Sequence, residues 1–198
     1  MADARSEILG RVREALQGVT PEPAPVVSPP GVPLAGEALV ARFVERVADY
    51  RAVVERCAAA DLGRTVAAAL PDGEVVVPAG LDLDVPRSRL DDGLGWAELD
   101  AAAAVVTRAR VAVAETGTIV LDHGPGQGRR ALSLVPDVHV CIVGVDQIVA
   151  DVPDALAVLD AARPLTWVSG PSATSDIELD RVEGVHGPRT LHVVVVEP

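Results

Sequence analysis

Polar clusters interrupt the apolar runs of the C-terminal half at three places, and the first runs from Glu115 to Thr118. It reads Glu-Thr-Gly-Thr and lies between two apolar runs, near a turn. Partial burial of Glu115 there would raise its pKa and suit the carboxyl group to acid, base or nucleophile chemistry. Thr116, Gly117 and Thr118 would then contact the ligand. The alternative is a turn glutamate that accepts hydrogen bonds from backbone amides.

The second cluster covers residues 123–130 and combines closely spaced glycines with two arginines. Gly126 and Gly128 would allow backbone N–H groups to converge on an anion, and Arg129 and Arg130 would add positive charge for a carboxylate or phosphate. A surface loop is the alternative. The glycine spacing differs from that of a dinucleotide-binding fingerprint, and no helical pattern follows at once.

The third cluster begins at Ser169 and continues beyond Asp176. Ser169, Gly170, Ser172 and Asp176 are the candidate ligand-binding residues here, and they offer hydroxyl, backbone and carboxylate groups. Asp176 falls in the first turn of a predicted helix, where its charge complements the helix dipole and makes that helix end a poorer anion site.

His186 follows in the segment Gly184 to Arg189, where it would bind a ligand or orient Glu115. A triad of Ser172, His186 and Asp176 can be drawn, but the chain lacks the nucleophile-elbow pattern that usually accompanies one. We therefore interpret Glu115 and His186 as the candidate catalytic pair.

A single pocket is the simplest arrangement for these clusters. Ligands usually bind at the strand ends of an open α/β sheet, and each cluster interrupts an apolar run that is predicted to be a strand. We expect Glu115, the loop from Gly126 to Arg130, Ser172 and His186 to converge there.

Charge and composition exclude several classes of function. The formal net charge of -12 repels phosphate backbones, and two Trp, one Tyr and one Phe cannot supply the stacking surfaces of a single-strand binder, so nucleic acid is not expected as a partner. The histidines lack the spacing of metal ligands. No apolar run approaches the roughly 18 residues of a membrane span, and no signal-peptide pattern opens the chain, so a cytoplasmic protein is expected.

The first 36 residues are expected to stand apart from the rest. Ser6 to Gln17 has the apolar spacing of an amphipathic helix, and the repeated prolines of 18–36 prevent regular structure. The predicted organisation is an N-terminal helix and proline-rich linker over residues 1–36, followed by one α/β domain over 37–198.

Helices and strands alternate over most of that domain, which predicts an α/β fold with a mostly parallel sheet and helices on both faces. Residues 79–96 are interpreted as a loop before a short helix near Trp96. Helices are predicted at 37–49, 61–70 and 146–159 and from Asp176; in the helix over 146–159, a break at the start or a division at Pro153 is the alternative. Strands are predicted at 51–57, 74–78, 105–106, 111–114, 118–121, 138–143, 165–169 and 191–196.

Together, these segments resemble the LUD-domain proteins of lactate utilisation, and among them the small LutC-like subunit. The detailed resemblance covers about residues 105–198. It rests on Ala114–Leu121, on Gly128–Leu132 followed by Pro136, on Ser169–Ser172 with Asp176–Glu178, and on Gly184–Pro188.

The resemblance implies a Rossmann-like fold similar to the CoA-transferase, ribose-phosphate-isomerase and formyltetrahydrofolate cyclo-ligase group. It also implies a role beside iron–sulfur oxidoreductase subunits that oxidise L-lactate to pyruvate. Cys57 and Cys141 are too few for an iron–sulfur cluster or an all-cysteine zinc site, so we expect no cofactor in this chain. The expected role is a non-redox subunit that binds a small carboxylate or a phosphate-bearing ligand.

Two alternatives remain open from the sequence. The first is a free-standing acyl- or formyl-group enzyme of the CoA-transferase or cyclo-ligase type, in which Glu115 reacts and the arginine loop holds phosphate. The second is an interaction module in which all three clusters are turns and helix caps.

Overall fold

The computed structural model describes residues 4–20, 34–174, 182–183 and 187–198. The chain divides into two compact units, residues 1–31 and residues 32–198. The first unit contains helix α1 (Ala4–Ala15), none of whose residues is buried. The second unit contains the sheets and the candidate site.

The second unit alternates helices and strands as the sequence pattern predicts. Its helices are α2 (Glu37–Asp49), α3 (Leu62–Ala69), α4 (Trp96–Ala101) and α5 (Val152–Val158). Its strands are β1 (Val53–Ala58), β2 (Val75–Val77), β3 (Ser88–Leu90), β4 (Ala104–Arg108), β5 (Val111–Val113), β6 (Thr118–Leu121), β7 (Val138–Gly144), β8 (Ile148–Val149), β9 (Thr166–Val168), β10 (Ala173–Thr174), β11 (Val182–Glu183) and β12 (Thr190–Glu197).

The main sheet has six strands in the order β1-β12-β7-β4-β2-β3, and every neighbouring pair is parallel. Strands β4, β7 and β12 are nearly continuous apolar runs, as is usual for parallel strands that are covered on both faces. The predicted α/β fold with a mostly parallel sheet is confirmed.

Helices cover both faces of the main sheet. Val40, Phe43 and Val47 form the buried side of α2 and pack against one face of β7 and β12. Leu62 and Val66 of α3 pack against the opposite face. Side chains alternate between the two faces along each strand, and this face is formed by the alternate residues of β2, β4 and β7. The aliphatic residues of both helices therefore form two separate cores with the sheet between them.

A second sheet of four strands has the order β8-β5-β6-β9. Strands β5 and β6 form an antiparallel hairpin, β9 pairs antiparallel with β6, and β8 pairs parallel with β5. Its inner side chains, such as Ala112 and Ile119, join the core beneath α2, whereas Val111 and Val120 face Ala155 of α5. The sequence pattern alone did not separate these strands from the main sheet.

Two predicted elements differ from the structure in their extent, and the first is broken at its start as the alternative at Pro153 allowed. The expected helix over 146–159 is a short 3-10 turn, strand β8 and then α5, because Pro153 sits in the first turn of α5 and Asp151 caps it through a 3.1 Å bond from the Asp154 N–H. Residues 79–96, interpreted as a loop, contain the edge strand β3.

None of the helices in the described part of the chain has the length and apolar character needed to cross a lipid bilayer.

Candidate functional site

A crevice opens at the carboxyl ends of β2 and β4. From β2 the chain continues to its neighbour β3, and from β4 it continues towards β7 on the opposite side, so the direction of the connections reverses between these two strands. In open α/β sheets this switch point is where ligands usually bind. Here the loop that follows β6 enters the crevice.

Backbone hydrogen bonds fix that loop between the two strand ends. The Gly126 N–H donates to the Ala79 carbonyl (2.9 Å), and the Arg108 N–H donates to the Gly126 carbonyl (2.8 Å). A Cβ at Gly128 would lie 2.8 Å from Pro78 Cβ and 2.9 Å from Leu132 Cδ2, and its φ is +71°, so only glycine fits without rearrangement. The glycines of the second cluster therefore seat the loop in the sheet edge.

A cleft of about 680 Å³ lies beside this loop. Its volume is in the range typical of small-molecule sites. We call it the carboxyl-edge cleft. The residues that line it are Pro78, Ala79, Gly80, Asp91, Gly93, His123, Gly124, Pro125, Gly128 and Arg129.

Asp91 and Arg129 form the charged wall of the carboxyl-edge cleft. The Arg129 guanidinium donates two bonds to the Asp91 carboxylate, from Nε (2.8 Å) and Nη2 (3.0 Å), and a third to the Leu94 carbonyl. These bonds from Arg129, with further bonds from the backbone N–H groups of Gly93 and Leu94, lower the pKa of Asp91. Asp91 is nearly buried, whereas 42% of the Arg129 side chain is exposed to solvent. The pair therefore fixes a partly exposed guanidinium in the wall of the cleft.

His123 lies at the start of the loop with an unusual backbone conformation. Its φ of +58° is in the left-handed region, which costs a non-glycine residue energy and is found often at functional sites. Nδ1 is 2.8 Å from the Gly128 carbonyl, so Nδ1 carries the proton. In the neutral ring, Nε2 then accepts from the Thr166 hydroxyl (3.0 Å). Two partners thus fix both the tautomer and the ring plane of a histidine at the cleft.

The Glu115 turn lies elsewhere, between β5 and β6. Glu115 is 57% exposed and its Oε2 is 3.4 Å from Nη1 of Arg42 on α2, so the expected burial of this carboxylate is wrong. Thr116 Oγ1 donates to Thr118 Oγ1 (2.8 Å), which in turn is 2.8 Å from Ser169 Oγ. The first and third clusters are therefore joined by a chain of hydroxyl groups.

Close packing against α2 accounts for the glycine in this turn. Gly117 has φ +61°, and a Cβ on it would lie 2.7 Å from the Arg46 carbonyl carbon and 2.8 Å from the Val47 nitrogen. Gly170 lies against Tyr50, just before β1 begins. Because α2 ends where β1 starts, both segments lie at the amino edge of the main sheet.

Ser172 also belongs to the amino edge. Its N–H donates to the Pro188 carbonyl (2.8 Å), two residues before β12 begins. Arg130 is exposed and starts a 3-10 turn (Arg130–Ser133) that leads away from the cleft. His186 and Asp176 lie outside the described residues.

The structure thus divides the candidate residues into two groups. Strand β6 separates them, since Thr118 begins it and the loop to Gly128 follows its end, a length of roughly 13 Å. The predicted convergence of Glu115, Ser172 and the arginine loop on one pocket is wrong. The amino-edge group is Glu115, Thr116, Gly117, Thr118, Ser169, Gly170 and Ser172, and the carboxyl-edge group is Gly126, Gly128 and Arg129.

Sequence reasoning missed Asp91 as a site residue and gave His123 no role. Nothing in the motif around Asp91 marks it, because its partner Arg129 is 38 positions away. His123 did carry a signal, since it opens the glycine-rich cluster.

Within the described residues, there is no group of three or more His, Cys, Asp or Glu side chains that could hold a metal ion.

Comparison with known proteins supports the resemblance seen in the motifs. The LUD domain family matches residues 95–196. Lactate utilization protein C of Deinococcus radiodurans is 47% identical over 98% of this chain and 96% of that protein. Lactate utilization protein C of Bacillus licheniformis is 36% identical, over 46% of this chain and 41% of that protein.

A solved structure agrees with this fold. The crystal structure of a DUF162 family protein from Deinococcus radiodurans, at 1.70 Å resolution, superposes with a TM-score of 0.73 at 42% sequence identity, covering 83% of this chain and 100% of that one. With a match over half the chain and a relative that is similar over nearly its whole length, this protein is a member of the LUD domain family.

Proposed function

We propose that this protein is a cytoplasmic, non-redox subunit of a system that oxidises L-lactate to pyruvate, and that it binds a small carboxylate in the carboxyl-edge cleft. The observation that carries the proposal is the placement of the Arg129 guanidinium, His123 and a glycine-rich backbone loop around one cleft at the switch point of the sheet. Similarity over nearly its whole length to a protein named for lactate utilisation supports the pathway.

Electron transfer in this proposal belongs to separate iron–sulfur oxidoreductase subunits. The chain has two cysteines, and Cys141 is fully buried in β7, where desolvation raises the pKa of its thiol to about 12. A protonated, enclosed thiol is a poor metal ligand. The role left to this chain is to hold a carboxylate or to organise its partners, without a cofactor of its own.

The chemistry of the cleft suits a carboxylate. Arg129 is held by Asp91 and keeps an exposed edge, so a ligand meets a guanidinium that is already oriented. His123 bonds through Nδ1 to the Gly128 carbonyl and through Nε2 to the Thr166 hydroxyl, so both ring nitrogens help to position the loop. These contacts favour binding and orientation over acid–base catalysis.

The alternative acyl- or formyl-group enzyme loses its geometric basis. It required Glu115 to react beside the arginine loop, but Glu115 is exposed at the amino edge and contacts Arg42. Among the described residues, no hydrogen bond or ion pair links Glu115 to Arg129.

Two substitutions at Ala79 test the cleft with a matched control. The Ala79 side chain is exposed in the cleft, and its structural contact to Gly126 is made by its backbone carbonyl. Ala79→Glu adds a negative charge where a carboxylate is proposed to bind, whereas Ala79→Gln adds nearly the same volume without charge. We expect Ala79→Glu to weaken pyruvate or L-lactate binding, measured by calorimetry, by at least about tenfold more than Ala79→Gln.

Growth and partner recovery test the role in the cell. A strain without this gene should grow poorly on L-lactate, and should be rescued by the wild-type gene and by Ala79→Gln more fully than by Ala79→Glu. Affinity-tagged protein from lactate-grown cells should recover iron–sulfur proteins. Normal growth of the deletion strain on L-lactate, with no iron–sulfur protein recovered, would refute the proposed function.

A further inference from the structure

A second cleft lies on the other side of the loop that carries His123. Gly124 and Pro125 belong to the walls of both clefts, so the loop forms a partition between them. This second cleft has a volume of about 510 Å³. We call it the arginine cleft, because Arg108, Arg110 and Arg163 line it.

The three arginines come from separate parts of the fold. Arg108 ends β4, Arg110 precedes β5, and Arg163 follows α5. Their spacing in the sequence does not suggest a site. Packing of the second sheet against the main sheet brings them to one cleft, in a chain whose net charge is -12.

Each guanidinium is held by a contact that leaves donors available. Arg108 Nη2 donates to the Asp82 carbonyl (3.2 Å), and Arg110 Nη2 donates to the Val158 carbonyl (3.1 Å). A guanidinium has five N–H donors, so these bonds orient the groups without saturating them. The exposed fractions of the Arg110 and Arg163 side chains are 49% and 41%.

A buried carboxylate aligns the cluster. Asp122 is 7% exposed, and its Oδ2 is 3.1 Å from Arg163 Nη1 and 3.8 Å from Arg110 Nε. Its Oδ1 accepts from the Gly124 N–H (3.1 Å) and from Gln127 Nε2 (2.8 Å). Oδ1 therefore accepts two hydrogen bonds and Oδ2 lies within ion-pair distance of two guanidinium groups, so Asp122 acts as a fixed counter-charge behind the arginines.

The balance of charge in the cleft favours an anion. Three guanidinium groups and two carboxylates, Asp122 and Asp160, line it, so the lining has one more positive than negative group. A ligand that carries more than one negative charge can contact several guanidinium groups at once, as a phosphoryl group does. A monocarboxylate such as lactate needs only one.

We infer that the arginine cleft is a second ligand site, distinct from the carboxyl-edge cleft, and that it binds the phosphoryl group of a small metabolite. Arg108, Arg110 and Arg163 contact the phosphoryl oxygens, and Asp122 positions Arg163 and Arg110. The volume suits a small phosphorylated molecule. Arg108 also lies close to Gly126, because a Cβ added to Gly126 would be 3.4 Å from Arg108 Cδ. A ligand held by Arg108 therefore stabilises the loop that borders both clefts.

Calorimetric titration of the full-length protein with inorganic pyrophosphate tests this inference. We expect binding by the wild type, and a loss of at least about tenfold in affinity in an Arg108→Gln/Arg110→Gln variant. The control is Arg64→Gln/Arg189→Gln, which also removes two positive charges. These arginines are 80% and 62% exposed, pair with Asp61 and Asp137, and do not line the arginine cleft. This control variant should bind as the wild type does.

Further arms separate this site from the carboxyl-edge cleft. Ala79→Glu should keep pyrophosphate binding within about threefold of the wild type, whatever it does to carboxylate binding. Wild-type protein alone gives a second readout, because pyrophosphate should raise the thermal midpoint more than malonate at equal ionic strength.

Three outcomes would overturn the inference. They are equal pyrophosphate affinity in the wild type and in Arg108→Gln/Arg110→Gln, an equal loss of affinity in Arg64→Gln/Arg189→Gln, and malonate binding as tight as pyrophosphate binding. If the Arg108→Gln/Arg110→Gln variant fails to fold, an unchanged thermal midpoint of the wild type with pyrophosphate is sufficient to reject it.

Discussion

Protonation of one buried histidine should control how stability depends on mild acid. His139 lies inside β7 with 1% of its surface exposed, between Val105 of β4 and Leu191 of β12. Its Nε2 is 2.8 Å from the Thr107 hydroxyl. Burial lowers the pKa of His139 from 6.5 to about 4, because the folded interior does not solvate the imidazolium ion.

The magnitude follows from this difference in pKa. The unfolded chain binds a proton at His139 below about pH 6.5, whereas the folded chain does so only near pH 4, so stability is fully present above pH 6.5 and decreases as the pH falls. Protonation of His139 should lower the free energy of unfolding by about 2 kcal/mol between pH 7 and pH 5. Between pH 7 and pH 4 the loss should be about 3 kcal/mol.

A double substitution isolates this contribution. Thr107→Val/His139→Leu removes the titrating ring together with the hydroxyl that bonds to it. Of the groups bonded to that hydroxyl, only the weakly polar Cys141 Sγ, 3.7 Å away, remains and loses a partner. Urea unfolding at pH 7, 6 and 5 should give a pH slope for the wild type that exceeds that of the variant. His192, whose pKa is also lowered by burial, is common to both proteins, and its contribution cancels in the difference. Parallel slopes in the two proteins would refute the reasoning, whatever their absolute stabilities.

Three further predictions concern the turn at Glu115 and the N-terminal region. Gly117→Ala should lower the free energy of unfolding by at least about 2 kcal/mol, because the added Cβ would clash with the α2 backbone and φ is positive. Gly63→Ala, at an open helical position, is the control and should not lower it; equal effects in urea unfolding would contradict this prediction. Glu115→Gln should change the free energy of unfolding by less than about 1 kcal/mol, because the contact of Glu115 with Arg42 is exposed, and the variant should support growth on L-lactate. A growth defect in a variant of normal stability would restore Glu115 as a functional residue. Removal of residues 1–34 should leave a cooperative unfolding transition, which loss of the calorimetric peak would disprove, because no residue of α1 is buried.

The positions of most strands and helices followed from the sequence because burial imposes a local pattern. Residues 138–143 and 191–196 are continuous apolar runs, and they form central strands β7 and β12 of a parallel sheet. The spacing of Val40, Phe43 and Val47 predicted α2 for the same reason. The motifs at Ala114–Leu121, Gly128–Leu132, Ser169–Ser172 and Gly184–Pro188 together indicated the family, although the function of their residues in a site did not follow from that.

The tertiary structure decided where the polar clusters meet, because that depends on how strands pair and in which direction. Pairing of β5, β6, β8 and β9 into a second sheet put the Glu115 turn and the Gly128 loop at opposite ends of β6. Asp91 and Arg129, and likewise Arg108 and Arg163, are far apart in the chain and come together only through these crossovers. Local periodicity reflects which face of each element is buried, whereas a site assembled from several strand ends depends on long-range pairing that no short segment encodes.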